Sequence, residues 1–192
     1  MTEQERLAAV LDAMKKIEAA APQDAVLVLA IDGRAAAGKS TLAAQVADAV
    51  GGGVVHRDDF FLPLPLRTPA RYAAPGGNVH HERFSAEVVP HLRSGNAFSY
   101  ARFDCSVLAL GAPRPVAAGR WRIVEGAYSC HPVLGRYMDL RVFADVAPGE
   151  QLRRIAARNG AEKAKQFAEK WIPLEEAYLA AFAIRQQADL IV

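Results

Sequence analysis

Residues Gly33-Arg34-Ala35-Ala36-Ala37-Gly38-Lys39-Ser40 set two glycines, a lysine and a hydroxyl at the spacing G-x-x-x-x-G-K-[ST]. Gly33 and Gly38 allow the backbone to turn tightly and bring N–H groups toward phosphate oxygens. A helix starting near Lys39 would aim its positive N-terminal end at the same anion. Lys39 then offers a point charge to the β- and γ-phosphates, and Ser40 offers a hydroxyl to Mg²⁺. The chemistry of residues 33–41, Thr41 included, is binding of a nucleoside triphosphate, with ATP and Mg²⁺ as the expected ligands.

Two acidic positions accompany this loop. Asp58-Asp59 follows a short apolar segment, and Glu125 ends another in Val124-Glu125-Gly126. An acid at the tip of an apolar strand beside a phosphate loop can hold Mg²⁺, and a second can take the proton of an attacking hydroxyl. Residue types alone leave open which member of the Asp58–Asp59 pair acts.

A basic run, Arg153, Arg154, Arg158, Lys163, Lys165 and Lys170, lies near the C-terminus. It reads either as a helical lid over about 150–172 that brings an arginine onto the transferring phosphoryl group, or as a solvated helix face. Phe61 and Tyr72 are pocket candidates among the aromatics, and Arg67 and Arg71 face either an anionic substrate or solvent. His80-His81-Glu82 lacks the further ligands of H-E-x-x-H or of H-x-E with P-C-x-x-C, which favours a substrate-loop role over a metal site.

The elements that must carry these groups follow from pattern. Thr2 with Glu5 forms a capping box, and Leu7, Val10, Leu11, Met14 and Ile17 recur at helical spacing, predicting a helix over 3–20. Residues 25–31 form a continuous Val/Leu-rich run that suits a strand buried on both faces. Further strands are expected at 54–55, 121–124, 140–144 and 188–192, and helices at 40–50, 85–92, 148–158, 161–171 and 174–187. Residues 61–78, with Pro63, Pro65, Pro69 and Pro75, read as loop, and 97–120 as irregular or hairpin. Strands alternating with helices predict one α/β domain over 1–192, a three-layer P-loop NTPase fold whose five-stranded, mainly parallel sheet is flanked by helices.

Composition narrows the classes. The 192 residues are 52% hydrophobic and 23% charged with a net charge of +2, which speaks for a globular chain and against charge-driven nucleic-acid or membrane-surface binding. No apolar run reaches the ~20 residues of a membrane span. Glu3, Glu5, Asp12 and Glu18 speak against a signal peptide. Cys105 and Cys130, without a CxxC pair, read as reduced thiols, so the expected location is the cytoplasm.

Taken in order, these segments resemble the uridine kinase-like group of P-loop kinases over residues 25–192. Ile31-Asp32-Gly33 runs into Gly38-Lys39-Ser40-Thr41, and His56-Arg57-Asp58-Asp59-Phe60-Phe61 is similar to the family's D-[SD]-F-[YF] element. Asn78-Val79-His80-His81 resembles its N-F-D-H segment, Tyr100 with Phe103-Asp104 its Y-D-F region, Val124-Glu125-Gly126 its F-E-G strand end, and 152–159 its arginine-rich lid start. The resemblance implies Asp58 as catalytic base, Glu125 as an Mg²⁺-associated acid, Arg154 and Arg158 as lid arginines, and Tyr100 beside the phosphoryl acceptor. His80 stands where the family has the aspartate that meets the sugar, and Cys105-Ser106 where it has a histidine near the base.

The expected activity is therefore transfer of the γ-phosphate of ATP to a hydroxyl of a nucleoside or similar small molecule. Lys39, Asp58, Arg154 and Arg158 are the expected catalytic residues, Ser40, Glu125 and Asp58 the metal-associated ones, and Phe61, Arg67, Tyr72, His80 and Tyr100 the substrate residues. A kinase of a vitamin-like or phosphorylated substrate, pantothenate-type, and a nucleotide-binding switch remain as alternatives. The expected partner is a small molecule, with self-association open.

Overall fold

The computed structural model describes residues 1–192. Its organising element is β1 (Leu27–Gly33), every residue of which is buried. Side chains alternate along it. Leu27, Leu29 and Ile31 join Val10 and Met14 of α1 (Glu3–Ala20) and Leu42, Ala43 and Val46 of α2 (Lys39–Val50). Val28 and Ala30 join the opposite cluster, with Phe84 and Val88. Each such aliphatic side chain fully removed from water contributes on the order of 1.5–3 kcal/mol, so a strand covered on both faces belongs at the centre of the sheet.

The sheet is parallel throughout, with strands in the order β2-β5-β1-β6-β7, where β2 is Gly53–His56, β5 Trp121–Glu125, β6 Leu140–Ala144 and β7 Leu190–Ile191. β1 pairs with β5 on one side and β6 on the other; Ile31 lies opposite Glu125, and Gly33 opposite Ala144. Glu125 also lies opposite His56. The loops after β1, β2 and β5 therefore open at the same edge, the carboxyl ends of the strands, where α/β sheets place their ligands.

Residues 97–120 form a hairpin, β3 (Phe98–Asp104) and β4 (Ala109–Val116), antiparallel and separate from the main sheet. The proline-rich stretch holds only a short 3₁₀ turn, Leu64–Leu66, and the five-residue α3 (Pro69–Ala73).

Several boundaries differ from the sequence-based expectation. β1 runs to Gly33 instead of stopping at Ile31, because the buried Asp32 carboxylate is satisfied inside the fold. It accepts from the N–H groups of Gly33 (2.7 Å), Tyr128 (3.1 Å) and Cys130 (2.8 Å) and from the Tyr178 hydroxyl (2.6 Å). The helix expected from Ser85 is α4 (His81–Glu87), capped by the His80 side chain on Arg83 N–H. Pro90 cannot extend it, and a 3₁₀ turn, Val89–His91, follows.

α5 (Pro148–Asn159) and α6 (Ala161–Gln166) precede a π-helical turn, Phe167–Trp171, that leads straight into α7 (Ile172–Ala181). The break expected between helices 161–171 and 174–187 falls at Pro173. Lacking an N–H and crowding the carbonyl four residues back, this proline is instead accommodated after a wider turn. α7 stops before the expected residue 187, and Ala183 takes a left-handed conformation (φ 48°). No helix is long and apolar enough to cross a membrane.

Candidate active site

The glycine-rich loop expected to bind phosphate joins β1 to α2, which begins at Lys39. Gly33 has φ +131°, and a Cβ there would sit 2.1 Å from the carbonyl oxygen of Ala144 on the neighbouring strand. Only glycine lets β1 reach its last pairing position and turn away. Gly126, after Glu125, is constrained likewise: φ is +127°, and a Cβ would meet that of Arg57 at 2.8 Å. Lys39, 8% exposed, folds back over the loop, and its Nζ donates to the carbonyls of Gly33 and Arg34, both at 2.8 Å.

Across from the loop, Glu125 is buried at the tip of β5. Its Oε2 accepts from Ser40 Oγ at 3.1 Å, and its Oε1 lies 2.6 Å from His56 Nδ1. A hydroxyl and a carboxylate converging beside a phosphate loop are the oxygen donors that Mg²⁺ takes when it arrives with nucleotide phosphates. No group of three or more His, Cys, Asp or Glu side chains could hold a metal by itself, the His80-His81-Glu82 segment included.

The two adjacent aspartates diverge. Asp59 is 5% exposed; its carboxylate accepts from the Tyr100 hydroxyl (2.8 Å) and meets Arg114 (3.2 Å) and Arg102 (3.6 Å). Asp58 forms part of the wall of a cavity of about 580 Å³ that also takes in Lys39, Ser40 and Glu125. It keeps open surface toward that cavity and makes no hydrogen bond or ion pair with the rest of the chain. Desolvation by the surrounding walls pushes its carboxyl up from the usual range; Glu125 and Asp59 add to that, against the opposing charge of Lys39.

Of the remaining expected residues, Ala35, Ala36, Gly38, Thr41, Phe61, Arg67, Tyr72 and Arg158 line the same cavity. Arg154 is not among the lining residues; it donates to the carbonyl of Ala36 (3.2 Å) and to Glu150 (2.7 Å). Arg34 turns outward and pairs with Glu176 and Asp145.

Two expected substrate residues lie elsewhere. Tyr100 is 2% exposed, its hydroxyl spent on Asp59 and on the His56 N–H. His80 serves as the cap of α4. Neither lines the cavity. Arg71 is likewise occupied, gripping Glu82 through two nitrogens (2.7 and 2.9 Å) and the carbonyls of Gly77 and Val79.

The structure also supplies groups that sequence reasoning missed. Lys163 reaches the cavity from α6, Phe167 and Trp171 from the π-helical turn, and Cys105 and Leu108 from the hairpin tip. Above all, Glu175 of α7 is 4% exposed and places both carboxylate oxygens on the N–H of Ala35, at 2.9 and 3.0 Å. Burial pushes its carboxyl up to about 7. No local pattern marks it, because an acid on a helix is commonplace and its partner is 140 residues away.

No family model matches the sequence, and no curated protein does. Solved structures do. A possible uridine kinase from Bacillus stearothermophilus is similar with a TM-score of 0.69 and 19% identity, covering 97% of this chain and 98% of that one. A candidate fructose transport system kinase from Silicibacter sp. TM1040 is similar with a TM-score of 0.68 and 24% identity, covering 100% of this chain and 99% of that one. At these identities the likeness is one of fold, and the fold is the α/β architecture expected from the sequence, a five-stranded parallel sheet flanked by helices.

Proposed function

We propose that this chain is an ATP-dependent kinase that transfers the γ-phosphate to a hydroxyl of a small molecule, of which a nucleoside is one class. The observation that carries this reading is Asp58, an unpaired carboxyl sharing one cavity with Lys39, Ser40, Glu125 and Arg158. A nucleotide switch needs no such base. Both structural neighbours bear names of small-molecule kinases, which supports the same reading.

In this mechanism the loop N–H groups and Lys39 bind the phosphates, Lys39 exchanging its contacts with Gly33 and Arg34 for phosphate oxygens. Asp58 accepts the proton of the attacking hydroxyl as its oxygen bonds to the γ-phosphorus and the bond to the β-phosphate oxygen breaks. ADP and the phosphorylated alcohol leave, and Asp58 returns its proton to solvent. Arg158 and Lys163, from the lid side, neutralise charge on the transferring group. Ser40 and Glu125 would hold Mg²⁺, which supplies further charge neutralisation when bound. The remaining work is positioning, as expected for phosphoryl transfer.

The test is ADP release from ATP–Mg²⁺ against a panel of nucleosides, vitamins, sugars and sugar phosphates. One substrate should raise the rate at least tenfold over water in the wild type and not in Lys39→Ala. ATP turnover indifferent to every alcohol would reject the kinase reading.

A further inference from the structure

Two arginines, Arg67 and Arg71, share the proline-rich stretch 61–78, and the fold uses them differently. Arg71 is saturated by Glu82 and two carbonyls. Arg67 donates only its Nε–H, to the carbonyl of Leu62 at 2.8 Å. Its two terminal nitrogens have no hydrogen bond and no ion pair, yet the side chain is half-buried in the wall of the active-site cavity.

The cavity offers Arg67 no internal counter-ion. Glu125 is committed to Ser40 and His56, and Glu175 to the Ala35 N–H. Asp58 is the proposed base. Apolar side chains, Phe61, Leu62, Tyr72 and Leu108 among them, make up about half of the lining of the cavity that Arg67 shares. Arg67 and Asp58 line the same cavity, so the cation and the base face one shared space.

A guanidinium held by one N–H, with its remaining fork open in a partly desolvated wall, is preorganised for a carboxylate or phosphate. Asn78 belongs to the same cavity wall, is 6% exposed, and its Oδ1 has no partner within the chain.

We infer that the phosphoryl acceptor is a small alcohol carrying an oxyanion, a carboxylate or a phosphate, and that Arg67 is the residue that selects for it. This rests on the kinase reading above and narrows its substrate class. Chemically, the reaction supplying the substrate must leave an acid or a phosphate ester beside a free hydroxyl.

The test uses matched pairs on the full-length protein: a hexose against its monophosphate, a nucleoside against its 5′-monophosphate, and pantothenate against the neutral pantothenol. ADP release is measured for wild type, Arg67→Gln and Arg67→Lys. The wild type should favour the charged member of at least one pair tenfold or more in kcat/KM. Whether that pair carries a phosphate or a carboxylate identifies the oxyanion. Arg67→Gln should cut this charged-to-neutral ratio at least tenfold, chiefly through KM, and Arg67→Lys should keep part of it. Equal or better use of the neutral members, or a ratio untouched by Arg67→Gln, overturns the assignment while leaving the kinase reading in place. Transfer to no alcohol of either kind overturns both.

Discussion

The Tyr100 hydroxyl donates to Asp59 Oδ2 at 2.8 Å and accepts from the His56 N–H at 3.0 Å. That one oxygen ties the hairpin to the end of β2 and draws Asp59 inward, leaving its neighbour Asp58 on the cavity side. Adjacent residues of the same type are thereby given opposite environments.

Their substitutions should separate accordingly. Asp58→Asn is expected to lower substrate-dependent ADP release by about 10²–10⁴-fold, the usual worth of a positioned base, with the Tm little changed. Asp59→Asn removes a buried charge facing Arg114 and Arg102 and should cost on the order of 1–3 kcal/mol, read as a Tm drop of several degrees. Activity loss confined to Asp59→Asn would assign the roles the other way round.

Lys39 now rests on two loop carbonyls, contacts that are spare once phosphate arrives. Wild-type protein should gain Tm with ATP–Mg²⁺, since a ligand that binds only the folded state stabilises it. In Lys39→Ala most of that rise should vanish at the same ligand concentration. An undiminished rise in the variant would remove Lys39 from phosphate binding.

The His56–Glu125 contact of 2.6 Å orients a carboxylate that the proposal assigns to Mg²⁺. Support of that kind is commonly worth 10–100-fold in metal affinity. Glu125→Gln should therefore raise the Mg²⁺ concentration for half-maximal rate at least tenfold, with a smaller rise for His56→Ala. An unchanged Mg²⁺ titration in Glu125→Gln would exclude that assignment.

Glu175 provides a pH prediction. Burial raises its folded-state pKa to about 7, above its ordinary value of 4.5. The folded state thus binds the proton more tightly, and the stability this contributes is present below about pH 4.5 and lost as pH rises through 7. His81 acts in the opposite sense. Burial lowers it to about 3, so acidification below its ordinary 6.5 destabilises the fold. Comparing Glu175→Gln with wild type isolates the first effect. The variant's Tm advantage should grow between pH 5 and pH 8, and a constant difference would show that Glu175 does not titrate in that window.

Local chemistry made much of this legible in one dimension. The glycine-rich motif of residues 33–41 is contiguous, so its spacing is read without the fold, and the apolar run of β1 announces a strand covered on both faces. The capping box of α1 is likewise local, and the structure forms it from Thr2 and Glu5. The Asp58–Asp59 pair and Glu125 could be singled out because the pair follows one apolar strand and Glu125 ends another, and parallel strands end at one edge.

Long-range packing decided the rest. Which aspartate faces the cavity depends on a tyrosine 41 residues away, and the Ala35 N–H finds its carboxylate 140 residues away. Arg6 on α1 holds the carbonyls of Ala37 and Val192 at 2.9 and 2.8 Å, joining both ends of the chain beneath the phosphate loop. Arg67 and Arg71 are the same residue type in one proline-rich stretch. Only the folded positions of Glu82, Gly77 and Val79 distinguish the arginine that holds the loop from the one left open to a ligand. A side chain's chemistry is local, but its partners are chosen by the fold, and an ionisable group without a partner becomes visible only when every neighbour is in place.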